Sequence, residues 1–183
     1  MDFEIMVNDK ISLKLRHKED AEAFFEIVNR NREEFKKWFP WVDATLSADD
    51  TKKFLQECQN EFKEKKAADF GVLYNGKWIG SMGFHTIKLD HEWAEIGYWL
   101  DGDYVGKGIM TECVKAMIKY GFNELHLHRI QIRCDSFNVK SKVIPERLGF
   151  KLEGVSREDH KRDSQFSDGL TYGLLRSEWK EYS

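Results

Sequence analysis

Two glycines flank a lysine in Val105-Gly106-Lys107-Gly108-Ile109-Met110-Thr111, just ahead of a helical pattern. Glycine adopts positive φ without steric cost and lets the backbone approach a ligand. The helix behind such a turn aims free N–H groups and the positive end of its dipole into it, which suits a phosphate. Lys107 adds a point charge. Counting excludes two common phosphate loops. A Walker loop puts four residues between its first glycine and Gly-Lys-Ser/Thr. Here Gly102 to Gly106 leaves three, and Gly108 replaces the hydroxyl residue. A dinucleotide fingerprint needs a third glycine where Thr111 stands. Taken alone, Gly-x-Gly is more often a plain strand-to-helix turn.

Metal and thiol chemistry find less support. His126 and His128 share one face of a strand, but no third ligand is placed near them. Cys58, Cys113 and Cys134 form an odd, scattered set without ligand spacing. Cys134 points inward with Ile130 and Ile132, as a packing residue does. No metal is expected.

The elements that must position the glycine turn follow from periodicity. Ile11–Leu15 alternates like a half-buried strand. Residues 20–31 place Ala21, Phe24, Phe25 and Val28 at helical spacing. Residues 35–42 are aromatic and read as a short helix closing into a loop at Pro40, more often core than binding box. Exposed, they would wall an acceptor groove. Ser47 is an N-cap for a helix to about residue 64. Asn75-Gly76 signals a hairpin between 70–74 and 77–84. Residues 94–100 form a strand with Ala94, Ile96, Tyr98 and Leu100 on one side and Glu95, Gly97 and Trp99 on the other. The glycine loop, a helix to about 120, a strand over 129–135 and a short helix over 139–148 follow, the last interrupted by Pro145. Segments at 149–152 and 168–175 close an α+β layered domain, read as one unit over 1–183.

Composition narrows the class. Hydrophobic residues at 41% and two prolines exclude a disordered chain. A balance of 29 Lys+Arg against 32 Asp+Glu argues against a nucleic-acid binder. No apolar run reaches the roughly 20 residues of a membrane span. The start lacks a basic n-region and apolar h-region, and the unpaired cysteines read as reduced thiols, so a cytoplasmic protein is expected.

The order of the pieces carries more than any one of them. Ala94-Glu95-Ile96-Gly97-Tyr98-Trp99-Leu100, then Tyr104-Val105-Gly106-Lys107-Gly108-Ile109-Met110-Thr111-Glu112, resembles the central motif of the GNAT acetyltransferases. His128-Arg129-Ile130, Asn138-x-x-Ser141 and Glu146-Arg147-Leu148-Gly149-Phe150 look like the RimJ/RimL branch, which acetylates protein N-termini. Arg157-Glu158, Asp168 and the run 172–179 are similar to that branch's closing segment, and Asn31-Arg32 with Trp38-Phe39-Pro40-Trp41 to its N-terminal helical pair. The resemblance implies a bent, mostly antiparallel mixed sheet of about seven strands flanked by about four helices. It implies acetyl-CoA where two adjacent strands splay. The main chain of Tyr98, Trp99 and Leu100 would pair with pantetheine, and the N–H groups of Gly106, Lys107, Gly108, Ile109, Met110 and Thr111 would hold the pyrophosphate. Asn138 would contact pantetheine, and Ser141 would lie near the sulfur. Three positions depart from the pattern. Val105 opens the motif in place of Gln or Arg, Met110 stands where Gly or Ala is usual, and His160 stands where the branch often has a second glutamate.

Acetyl transfer to an amine needs a neutral nucleophile. At pH 7 an α-amine is about a tenth neutral, a lysine only about one part in two thousand. Deprotonation thus costs about 1 kcal/mol for the α-amine and about 4.6 for lysine. A modest base is enough for the first. Glu95, beside the expected thioester, is the first candidate base, with a solvent-facing strand carboxylate as its equal alternative. His160 is another base candidate, although an exposed loop histidine is the commoner case. Ser141 is the candidate acid for the departing thiolate, set against a first-turn serine bonding its own backbone. The leading function is an acetyl-CoA-dependent N-acetyltransferase acting on a protein N-terminal amine, as of a ribosomal protein. The rivals are a small-amine enzyme for polyamines or aminoglycosides, and a non-catalytic acyl-CoA-binding regulatory module. Exposed aromatic segments are compatible with a homo-oligomer.

Overall fold

The computed structural model describes residues 2–162 and 164–181. Its strands are β1 (Glu4–Met6), β2 (Ile11–Leu15), β3 (Ala68–Tyr74), β4 (Lys77–Lys88), β5 (Trp93–Leu100), β6 (Arg129–Asp135), β7 (Lys151–Arg162) and β8 (Gln165–Leu175). The helices are α1 (Ala21–Arg30), α2 (Arg32–Phe35), α3 (Ala48–Lys63), α4 (Ile109–Asn123) and α5 (Val139–Arg147). The strands form one sheet in the order β1-β2-β3-β4-β5-β6-β8-β7. All described neighbours are antiparallel except β5 and β6, which run parallel.

Local chemistry explains the joints. Asn75 and Gly76 both take positive φ, 49° and 76°, the pair of conformations that a two-residue hairpin turn demands. Ser47 caps α3 reciprocally with Asp50: the Asp50 amide donates to Ser47 Oγ at 3.3 Å and the Ser47 amide to Asp50 Oδ2 at 2.9 Å.

The two faces of the sheet bury different things. On one, α4 sets Ile109, Met110, Cys113, Val114 and Met117 against Phe70, Phe84, Ile96 and Ile130, all buried in one core. Full burial of a side chain of this size contributes about 1.5–3 kcal/mol. On the opposite face, α1 and α2 pack an aromatic group: Phe24 meets Trp78 and Trp99, and Phe35 meets Phe39 and Trp99. Asp101, just past β5, ties that layer down. It pairs with Arg30 and accepts from Asn31 Nδ2 at 3.0 Å. Burial would raise its carboxyl pKa, but these bonds outweigh burial and hold it low.

The sheet has more strand than periodicity indicated. Three-residue β1 adds a short edge, and β7 runs to Arg162 although 151–162 are exposed or half-buried throughout. A strand polar on both faces leaves no alternation to read; its partner β8 holds it. His126 and His128 lie in the turn before β6, with His126 at φ 54°, so they share no strand face. Pro145 sits within α5, which continues to Arg147.

Candidate active site

The site begins where β5 and β6 part. Their pairing ends at Ile96 opposite Ile132. Beyond it β5 continues on β4 as far as Leu100, while β6 follows β8 to Asp135. Residues 97–100 therefore have no strand on their β6 side. The ladder fixes which groups face that gap. The Asp101 amide bonds Ile79 O on the β4 side at 2.8 Å, and Glu92 O accepts from the first residues of the β6 arm. Alternation then turns the N–H and C=O of Tyr98 and Leu100 into the gap, and those of Trp99 towards β4. Trp99 joins the cleft wall by its side chain.

At the far end lies the glycine turn. Gly106 and Gly108 hold φ of 81° and 76°, and a Cβ on either would meet nothing within 4 Å. Glycine is required there by backbone conformation, not by crowding. The amides that open α4 face this turn. Met110 does not obstruct it, because its side chain is buried in the α4 core. Lys107 projects from the rim, its Nζ 5.1 Å from the Tyr104 ring centroid.

Two hydroxyls meet at the head of the gap. Ser141 Oγ lies 3.2 Å from Tyr98 OH, and Tyr98 OH donates to the Ser141 carbonyl at 3.1 Å. The proline accounts for the second bond. In an uninterrupted helix the amide four residues on would take the Ser141 carbonyl, but Pro145 has no N–H. Asn138 caps α5 by accepting from the Ser141 amide at 3.1 Å, fixing the serine in the first turn. Burial pushes the Tyr98 phenol well above its ordinary pKa, opposed by the Ser141 bond, so the hydroxyl stays a donor. Burial also pushes the Cys134 thiol up to about 11.

These parts line one cleft of about 600 Å³, and its other wall is the α1–α2 face. There Phe35, Trp38 and Phe39 share the lining with charged and polar residues: Glu34, His85, Arg133, Asp135 and His160. Arg162 Nη2 bonds Asp135 Oδ2 at 2.8 Å, and its guanidinium lies 4.4 Å from the Trp38 ring centroid, joining the two layers. His160 stands on β7 opposite Ser167, with Nε2 3.7 Å from Asp159 Oδ2.

Of the residues the sequence singled out, Tyr98, Trp99, Leu100, Gly106, Gly108, Ile109, Met110, Thr111, Asn138 and Ser141 line this cleft together. Glu95 and Lys107 are not in its lining. The Glu95 carboxylate instead accepts from Gln131 Nε2 at 2.8 Å. His85 was missed. It falls at a β-bulge between Phe84 and Thr86, where strand alternation cannot say which way a side chain points. No group of three or more His, Cys, Asp or Glu able to hold a metal exists among the described residues.

Comparison with known proteins agrees with this geometry. The chain matches the family model described as an acetyltransferase (GNAT) domain over residues 11–151. A relative from Bacillus subtilis strain 168, described as "Putative ribosomal N-acetyltransferase YdaF", is 32% identical over 179 residues, with 97% of this chain and 98% of the relative covered. The ribosomal-protein-serine acetyltransferase of Escherichia coli K12 is 26% identical over 171 residues, with 93% and 96% covered. Among solved structures, microcin C7 self-immunity acetyltransferase MccE in complex with acetyl-CoA and AMP matches with a TM-score of 0.85 and 28% identity, covering 92% of this chain and 94% of that one. RimL, the ribosomal L7/L12 alpha-N-protein acetyltransferase, in complex with coenzyme A, has a TM-score of 0.91 over 94% and 98% of the two chains. At 22% identity that likeness speaks to the fold.

Proposed function

This chain belongs to the GNAT acetyltransferase family, and from that premise we propose that it transfers acetyl from acetyl-CoA to the N-terminal α-amine of a protein, such as a ribosomal protein. One observation carries the reading. The gap between β5 and β6 joins a phosphate-type glycine turn on the α4 side to an open, aromatic-walled cleft on the α1–α2 side. A thioester in that gap presents an electrophilic carbonyl to an amine arriving from the open side.

The parts fit that cosubstrate. The free main-chain groups of Tyr98 and Leu100 offer pantetheine the hydrogen bonds of an added strand. The amides from Gly106 to Thr111 offer the pyrophosphate a helix N-terminus, with Lys107 supplying charge at the rim. Asn138 lines the same cleft, where the sulfur end of pantetheine would pass it. Ser141 Oγ can turn its proton to the departing sulfur, while Tyr98 OH, whose own proton goes to the Ser141 carbonyl, holds that serine in place. Glu95 draws no support as a base from its place, since its carboxylate is taken up by Gln131. Phe35, Trp38 and Phe39 offer an extended peptide an apolar wall, which favours a polypeptide end over a small polyamine. Relatives named for ribosomal-protein acetylation support the same acceptor class. That acceptor and three free cysteines suit a cytoplasmic protein acting as a single acetyltransferase domain.

The test is thiol release from acetyl-CoA with a panel of N-terminal peptides, each in competition with spermidine. Peptide acetylation that spermidine does not suppress is expected. Binding of acetyl-CoA without thiol release for any amine would contradict the reading and leave a non-catalytic acyl-CoA-binding module.

A further inference from the structure

Gly97 lies where β5 leaves β6, and its missing side chain is occupied. A Cβ there would stand 2.1 Å from His85 Cε1 and 2.4 Å from His85 Nδ1, so the imidazole lies flat over the residue that begins the gap. His85 belongs to β4, the immediate neighbour of β5, and lines the cleft with its side chain half-exposed. Its other nitrogen faces inward: Nε2 is 3.7 Å from Asp69 Oδ2. Asp69 is buried, and its second oxygen is fully engaged. Oδ1 takes Arg16 Nη2 at 2.6 Å and the Ser81 hydroxyl at 2.7 Å, which leaves Oδ2 for the histidine. Tyr98 follows Gly97 in the strand, so its side chain and Ser141 stand on the opposite face. A proton acceptor and the Ser141 hydroxyl, held by Tyr98, thus flank one gap from its two sides.

We infer that His85, with the Asp69 carboxylate 3.7 Å from its Nε2, accepts the proton of the attacking amine. The inference rests on the acetyl-transfer reading and adds to it the base. With the Nε2 edge turned to the Asp69 carboxylate, Nδ1 is the nitrogen left to take a proton. The amine nitrogen bonds to the acetyl carbon, and His85 Nδ1 takes the proton that nitrogen sheds. The C–S bond breaks with its electron pair on sulfur, to which the Ser141 hydroxyl, held by Tyr98, donates a hydrogen bond. Water carries the proton from His85 to that sulfur, leaving N-acetylated acceptor and a free thiol. The Asp69 carboxylate offsets the charge of the imidazolium in between. His160 also borders the cleft, but its strand is three places from β5, whereas β4 is adjacent.

H85A and H85Q test this, because a half-exposed imidazole can be removed without opening the core. With any amine the wild-type chain acetylates, kcat is expected to fall about a hundredfold, while calorimetric affinity for acetyl-CoA and thermal midpoint stay put. Added imidazole is expected to restore turnover to H85A and leave wild type unaffected. Adding D69N to H85A is expected to lower kcat little further, since the two act as a unit. Turnover of H85A within threefold of wild type, or a loss that imidazole does not rescue, would overturn the assignment alone. A wild-type chain that acetylates no amine fails the functional reading, and the assignment falls with it.

Discussion

The two faces of β5 solve different problems with different materials. Towards α4 and α5 the site is backbone and buried hydroxyl: free peptide groups at Tyr98 and Leu100, two glycines at positive φ, and the Tyr98–Ser141 pair. Towards α1 and α2 it is long side chains, aromatic or charged, that fold over glycines. The His85 ring covers Gly97, and the Asp159 carboxylate covers Gly169 at 2.5 Å from where a Cβ would stand. A surface made of peptide groups recognises what every such cosubstrate shares. One made of side chains from several strands can be retuned without disturbing the sheet.

The contrast is broken most severely by filling the seat under His85. G97A is expected to fold, since only a movable ring must shift, and to lose about a hundredfold in kcat with acetyl-CoA affinity unchanged in calorimetry. A parallel loss of affinity would mean that the faces are not separable. G108V works on the other face. A β-branched residue at φ 76° is strained by about 1–2 kcal/mol, and acetyl-CoA affinity is expected to weaken about tenfold with kcat near wild type at saturation.

P145A sharpens the cofactor side. Replacing proline inside a helix removes a penalty of up to about 3 kcal/mol, so the thermal midpoint is expected to rise. The new amide competes for the Ser141 carbonyl and releases Tyr98, and kcat is expected to fall several-fold. A midpoint gain with no loss of turnover would mean that the proline only interrupts the helix.

Cys134 reads the burial of that side rather than turnover. With its thiol pushed up to about 11, almost none is thiolate at pH 8, and alkylation is expected about a hundredfold slower than for an ordinary cysteine. The rate should climb as pH rises towards 11 and should drop when acetyl-CoA is bound. Rapid labelling at pH 7 would contradict the burial that keeps the thiol protonated.

The same contrast governs how much the sequence discloses. Features of the proposed cofactor side are local: Gly106 and Gly108 are required by φ, Asn138 and Ser141 are a cap and its first turn, and Tyr98 has a phase on one strand. Each can be read along the chain. Met110 departs from the usual Gly or Ala without filling the turn, because the first turn of α4 rotates it into the core, which sequence does not say. Features of the proposed acceptor side are non-local. Asp69 and His85 are brought together by the register of β3 and β4, and a bulge sets the direction of His85. Glu95 had the right strand face, but its partner Gln131 comes from β6 across a parallel pairing no short pattern announces.

The most direct test is a crystal structure with a bisubstrate analogue in which the CoA sulfur is joined through an acetyl bridge to the α-amine of a short peptide. Pantetheine is expected beside Tyr98 and Leu100, the bridge beside the His85 imidazole within reach of its Nδ1, and the peptide along Trp38 and Phe39. A peptide leaving instead past Ser141 on the α5 side would contradict the division of the site into a cofactor face and an acceptor face.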